Sequence, residues 1–142
     1  MDNASLPAAP PPVDVLETSL YAADLAAARR FYGDILGLEL LSEAEGRHLF
    51  FRLRRGMLLL FNPDATRDAG ADVPPHGSEG AGHVALAVEP AALPAWRTRL
   101  AACGVAIERE VQWPSGHLSL YFRDPSGNSI ELASPGIWGL PR

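Results

Sequence analysis

The chain carries one pattern twice, and this repeat constrains its fold more than any other feature. Val15 to Pro63 reads VLETSLYAADLAAARRFYGDILGLELLSEAEGRHLFFRLRRGMLLLFNP. Gly82 to Pro135 reads GHVALAVEPAALPAWRTRLAACGVAIEREVQWPSGHLSLYFRDPSGNSIELASP. Each copy is an alternating strand, a helix opening at Asp24 or at Glu89-Pro90, and Gly-bounded strands that end in a proline. LGLEL echoes CGVAIE, FFRLRRG echoes YFRDPSG, and LLLFNP echoes IELASP. Such a repeat predicts two similar halves packed together, with ligand sites between them.

In the first copy, Leu16, Thr18 and Leu20 share one strand face, and Val15, Glu17, Ser19 and Tyr21 share the other. Asp24 is a good N-cap. Behind it Leu25, Ala28, Phe31, Tyr32, Ile35 and Leu36 recur at helical spacing, and Gly37 ends the helix. Strands are predicted near Glu39–Ser42, His48–Leu53 and Met57–Phe61, with Arg54-Arg55-Gly56 as a hairpin turn. In the second copy Val84, Leu86 and Val88 form the inner face, and Pro90 suits a first helical turn. Leu93, Trp96 and Leu100 make a helix stripe that ends at Gly104. Strands follow near Val105–Arg109, Leu118–Arg123 and Ser129–Ala133, with Asp124-Pro125-Ser126-Gly127-Asn128 as a turn. The order βαβββ, twice, is an α+β architecture with one helix-covered face on each sheet. Residues 1–12, ending in PAAPPP, read as a disordered arm. Residues 13–136 read as a single domain of module one (13–63), an exposed linker (64–81) and module two (82–136), and 137–142 form a tail.

Composition narrows the function. A chain of 142 residues fits one domain or two small, intimately packed modules. A net charge of −5 argues against a nucleic-acid partner, which calls for a basic face. The single cysteine, Cys103, excludes an internal disulfide, reads as a small core residue, and fits a reducing cytoplasm. No apolar run reaches the roughly 18 residues of a membrane span, and the N-terminus lacks a signal-peptide pattern.

The face of each sheet away from its helix is mixed: Glu17, Ser19, Phe50, Arg52, Ala85, Ala87, Tyr121, Ser129, Glu131 and Ala133. Small residues beside carboxylates and an imidazole make a poor core and a reasonable lined cup. Glu17 lies seven positions before Asp24, and His83 seven before Pro90. Glu131 lies four before Pro135, where the first copy has Leu59, or Leu60 if the glycines are matched instead. Each of the three alone reads more readily as a surface or structural residue; their matched placement makes them a candidate metal set. Two carboxylates and one imidazole suit Mn²⁺, Fe²⁺, Ni²⁺, Co²⁺ or Zn²⁺, with positions left open for substrate. Glu17 reads alternatively as a general base or as the partner of an arginine. Glu131 and His48 are the candidates for proton transfer. Arg52 and Arg123 are candidate anion holders, and Phe50, Trp113, Tyr121 and Trp138 candidate aromatic walls, each also compatible with ordinary packing. His117 is a candidate for the mouth of the cup, and His76 for a lid over it.

The segments LYAADLAAARRFYGDILGLEL, GHVALAV and YFRDPSGNSIEL resemble the vicinal oxygen chelate superfamily, which includes glyoxalase I, bleomycin-resistance proteins and extradiol dioxygenases. The resemblance covers about residues 13–136. It implies paired βαβββ modules curled into a half-barrel, often a homodimer, and a divalent metal on the first and last strands of each module. By position those ligands fall on Glu17, Leu59 or Leu60, His83 and Glu131. The family commonly carries His or Gln where this chain has Glu17, and four-ligand members carry Glu where this chain has leucine. The expectation is a small metal-dependent, glyoxalase-like lyase or isomerase acting on a small oxygen-bearing molecule. Its rivals are a non-catalytic drug-binding protein of the bleomycin-resistance type and an extradiol dioxygenase-like oxygenase.

Overall fold

The computed structural model describes residues 6–68, 70 and 72–141. The first copy folds into β1 (Glu17–Tyr21), β2 (Glu39–Ala44), β3 (His48–Arg52) and β4 (Met57–Phe61). The second gives β5 (His83–Ala87), β6 (Arg109–Gln112), β7 (Leu118–Arg123) and β8 (Ser129–Ala133). Each set forms an unclosed four-stranded sheet, ordered β1-β4-β3-β2 and β5-β8-β7-β6. The first and last strands of each copy pair in parallel, and the other pairs are antiparallel. The α+β class and the doubled βαβββ order are therefore as the repeat predicts.

Helix α1 (Leu25–Arg29) continues through a π-helical stretch, Arg30–Ile35. Asp24 starts it by accepting the Ala27 N–H at 3.0 Å, and Gly37 stops it at a φ of 75°, a conformation glycine adopts without steric cost. The stripe read from the sequence is the buried one: Ala28, Phe31, Tyr32, Ile35 and Leu36 are all inside. Helix α2 (Pro63–Thr66) is short, and α3 (Leu93–Ala102) follows a 3₁₀ turn over Pro90–Ala92. Leu93 and Leu100 of α3 are buried, and Trp96 and Cys103 pack against the core half-buried. One core serves both sheets, joining Leu20, Phe51, Leu58 and Leu60 to Leu86, Leu120, Phe122, Ile130 and Leu132.

The turn at 124–128 fastens the two copies to each other. Asp124 Oδ1 accepts the backbone N–H of Ser126 and of Asn128, both at 2.9 Å. Its Oδ2 accepts the Tyr32 hydroxyl at 2.7 Å and the Asn128 amide at 2.9 Å. Asn128 also donates to the Tyr21 carbonyl at 3.1 Å and accepts from Gly82 N–H at 2.8 Å. Burial, with the Asp124 carboxylate beside it, holds the Tyr32 hydroxyl far above the usual phenol range, so it remains a donor.

The structure corrects several sequence expectations. The sixth strand begins at Arg109, not Val105. Val105 and Ile107 alternate inward onto the core as a strand would, but cross-strand pairing begins only where Glu108 N–H meets the Tyr121 carbonyl at 2.8 Å. Leu16 is 75% exposed, because it precedes the first paired position, Glu17 opposite Met57. Trp138 lies in a 3₁₀ turn after β8 and is 79% exposed, so it is no cavity wall. The linker is not a bare loop: it contains α2, capped by Asn62, and His76 N–H donates to the Thr66 carbonyl. The expected disorder of residues 1–5 lies outside the described residues, and residues 6–12 are exposed. Among the described residues no helix is long and apolar enough to cross a membrane.

Candidate active site on the second sheet

Register decides which side chains share a face. In the second sheet Ala85, Glu131 and Tyr121 stand side by side across β5, β8 and β7. His83, Ser129 and Arg123 form the next row on that face, and Ala87, Ala133 and Ser119 the row beyond. The residues between them, Leu86, Ile130, Leu132, Leu120 and Phe122, turn into the core. Among the three small alanines, the polar groups that share this face with Glu131 are His83, Ser119, Ser129 and Tyr121.

Glu131 is only 5% exposed, and its two oxygens have different neighbours. Oε2 accepts the Ser119 hydroxyl at 2.7 Å, and Ser119 Oγ in turn lies 2.8 Å from the indole Nε1 of Trp113. Oε1 faces His83 Nε2 at 3.4 Å. His83 Nδ1 lies 2.9 Å from the Ser129 carbonyl, which can only accept, so the neutral ring carries its hydrogen on Nδ1. Nε2 is left with a lone pair directed at the carboxylate, the arrangement of a ligating imidazole. The Tyr121 ring lies nearly parallel to His83, 6.2 Å away at 19°. Burial, then hydrogen bonding to Glu131 and its charge, raises the Tyr121 hydroxyl pKa and keeps its proton in place.

Next to this pair is a shallow depression of about 410 Å³ lined by Arg109, Val111, Tyr121, Arg123 and Ser129, with Glu108 at its rim. Arg123 is committed there: it holds both oxygens of Glu108, at 2.9 and 3.2 Å, and the Gly127 carbonyl at 3.1 Å. Arg109, opposite Tyr121 in register, has no ion-pair partner among the described residues. A larger cavity of about 580 Å³ lies on the helix side, beside Phe31, Ile35 and Val105, away from His83 and Glu131.

The first sheet carries the counterpart face with different chemistry. Ser19, Leu59 and Phe50 form one row, so Leu59 and not Leu60 matches Glu131; Leu60 points into the core. Glu17, Met57 and Arg52 form the next row, with Glu17 and Arg52 exposed. His48 stacks on Phe50 at 3.9 Å and 10°, and Phe61 stands edge-on to both. Arg47 donates to His48 Nδ1 at 2.6 Å, so the hydrogen on Nε2 faces Ser42 Oγ at 3.3 Å. Partial burial and the neighbouring Arg47 charge lower the His48 pKa. His76 from the linker meets Phe61 edge-on at 4.8 Å, and its Nδ1 lies 2.7 Å from the Tyr21 hydroxyl. His117 is held by Ser134 Oγ at 2.9 Å, behind the last strand.

Of the three residues expected to gather, the fold brings together His83 and Glu131 and leaves Glu17 apart. Among the described residues no three His, Cys, Asp or Glu side chains cluster closely enough to hold a metal ion. The reason is topological: Glu17 is on the outer strand of one sheet and His83 on the outer strand of the other. Trp113, read as a wall, follows the end of β6, and its indole N–H donates to Ser119 Oγ. Ser119 and Arg109 were not singled out from the sequence. The signal for Ser119 was its place two residues before Tyr121, a polar residue inside the apolar run Leu118–Phe122.

The family model for the glyoxalase, bleomycin resistance protein and dioxygenase superfamily matches residues 14–132. Among solved structures, a lactoylglutathione lyase from Agrobacterium tumefaciens is 41% identical, with a TM-score of 0.88, covering 92% of this chain and 100% of that one. A glyoxalase, bleomycin resistance protein or dioxygenase from Nocardioides is 24% identical at a TM-score of 0.69, covering 92% and 87%. A glyoxalase/dioxygenase from Nostoc punctiforme is 24% identical at 0.67, covering 92% and 98%. At that identity the last two attest the fold alone. Among curated proteins no match is found. Two βαβββ copies in unclosed sheets, the matched length and the near-complete overlap with the Agrobacterium structure agree: the chain belongs to the glyoxalase, bleomycin-resistance and dioxygenase superfamily, the vicinal oxygen chelate proteins.

Proposed function

We propose that this protein is a small metal-assisted enzyme of the glyoxalase kind, a lyase or isomerase acting on a small substrate with neighbouring oxygen atoms. The observation that carries this reading is the facing pair, His83 Nε2 and Glu131 Oε1 at 3.4 Å. Two lone-pair atoms aimed at each other repel unless a proton or a cation lies between them, and a carboxylate this buried favours a positive neighbour. One imidazole nitrogen with a carboxylate oxygen is the donor chemistry of a Mn²⁺, Fe²⁺, Co²⁺, Ni²⁺ or Zn²⁺ site, and this pair would supply part of such an ion's set. Similarity to the Agrobacterium lactoylglutathione lyase over nearly the whole chain supports the lyase type.

His83 and Glu131 would hold the ion, and Glu17 from a second copy of the chain would complete the set. Exposure of Glu17 and His83 on outer strands supports that assembly. When bound, the ion polarises substrate oxygens and stabilises developing negative charge. Glu131 would take and return the substrate proton at the lone pair of Oε1 not directed at the ion, while the Ser129 carbonyl keeps the His83 ring turned toward it. The Arg109 guanidinium offers forked donors to an anionic group of the substrate. His48, neutral and with both ring nitrogens engaged, forms a flat wall with Phe50.

Metal analysis of tag-free protein tests this. A stoichiometric divalent ion, lost in Glu131→Ala, is the expected result. His83→Ala is expected to weaken zinc binding by about tenfold or more in calorimetry; unchanged affinity removes His83 from the site. The aromatic face of the first sheet, with Phe50, His48, Phe61 and Tyr21, favours a second reading, a binding protein of the bleomycin-resistance type. Metal-free protein that still binds flat aromatic ligands would establish it instead.

A further inference from the structure

We propose that Ser119 is the positioning residue of Glu131, and that the Trp113 indole sets the direction of its hydroxyl. This rests on the reading that Glu131 is the working carboxylate. An indole N–H only donates, and a serine hydroxyl has a single hydrogen. With Trp113 Nε1 donating to Ser119 Oγ at 2.8 Å, that hydrogen goes to Glu131 Oε2 at 2.7 Å. The direction of the chain, Trp113 to Ser119 to Glu131, follows from the donor inventory alone.

Three consequences follow for the carboxylate. Oε2 is committed as an acceptor, so protonation there would set two hydrogens against each other. Oε1 is the oxygen that faces His83 Nε2. Rotation of the carboxylate breaks a buried hydrogen bond: Ser119 is fully buried and Glu131 is 5% exposed, and an unmet buried partner is costly. Glu131 is thus presented as a one-oxygen donor in a fixed plane.

The β6–β7 hairpin is built to hold the indole in place. Trp113 closes it, with its N–H donating to the His117 carbonyl at 2.9 Å and its carbonyl accepting Gly116 N–H at 2.9 Å. Gly116 makes the turn at a φ of 85°. From this turn the half-buried indole reaches the middle of the sheet, and its N–H reports on the far end of the chain.

The test uses the full-length protein, with zinc chloride as the probe. The Trp113 indole N–H resonance, assigned by its loss in Trp113→Phe, is expected to move in Ser119→Ala and in Glu131→Gln without metal, and again when zinc is added to the wild type. Zinc affinity by calorimetry is expected to fall about tenfold in Ser119→Ala, in line with loss of an outer partner of a ligand. A smaller fall is expected in Trp113→Phe, whose half-buried ring keeps the fold and the melting temperature. An indole resonance indifferent to Glu131→Gln, or zinc affinity unchanged in both Ser119→Ala and Trp113→Phe, overturns the proposal. Wild type that takes no zinc, while the resonance still moves in both variants, upholds the positioning chain and removes the metal reading. Zinc binding with a motionless resonance does the reverse.

Discussion

Leu59 and Glu131 hold the same place in two copies of one pattern, yet one is an apolar packing residue and the other a buried carboxylate. Leu59 is 6% exposed between Ser19 and Phe50. Its replacement by alanine is expected to cost about 2–4 kcal/mol of stability, as for other buried leucines, and to leave zinc affinity unchanged; denaturant melts and calorimetry check both. His48 gives a pH signature. Its pKa in the fold lies below 6.5, so the unfolded chain takes up a proton first as pH falls. The contribution of His48 is present above pH 6.5 and fades as pH drops through that value toward the folded pKa. In His48→Gln the acid side of the stability profile is expected to be flatter. A ring titration by NMR that reads 6.5 or above would contradict this.

At the scale of elements, the turn at 124–128 does more than reverse the chain. Asn128→Ala removes two donations and one acceptance that tie β8 to β1 and to the start of β5. The expected loss is about 1–3 kcal/mol or more, the cost of leaving buried groups unmet, read as a lower denaturant midpoint. Gly56 is as constrained: a Cβ there would sit 2.8 Å from the Leu16 carbonyl. Gly56→Ala is therefore expected to destabilise the entry to β1, with faster amide exchange at Met57, which donates to that carbonyl. The elements were largely legible because apolar periodicity and turn residues are local signals. β7, β8 and the α1 stripe follow directly from them. The start of β6 did not, since Val105 and Ile107 alternate inward before any partner strand is available. His83 and Glu131 were singled out by counting back from Pro90 and Pro135, and the parallel pairing of β5 with β8 then puts them on one face of one sheet. The separation of Glu17 was not, because the spacing between two sheets is set by packing and leaves no local pattern. The same holds for the role of Trp113, whose partner is a serine six residues on.

For the whole molecule, the proposed assembly makes a distinctive prediction. If two copies share each site, Glu17→Ala and His83→Ala chains each lack working sites alone. Each mixed pair has one of its two shared sites intact, so an equal mixture that re-pairs at random regains about a quarter of the zinc capacity of the wild type. No recovery, under conditions where sedimentation finds mixed pairs, refutes the shared site. The fastening of one half to the other, through Tyr32, Asp124, Asn128 and a common core, lies entirely on the helix-covered side. The opposite surface carries a smaller share of that duty. Outside its buried positions, Leu59, Ser119 and Glu131, its side chains are open to exchange with little risk to cohesion, and a scaffold so divided is well suited to adopting new ligands while its frame stays constant.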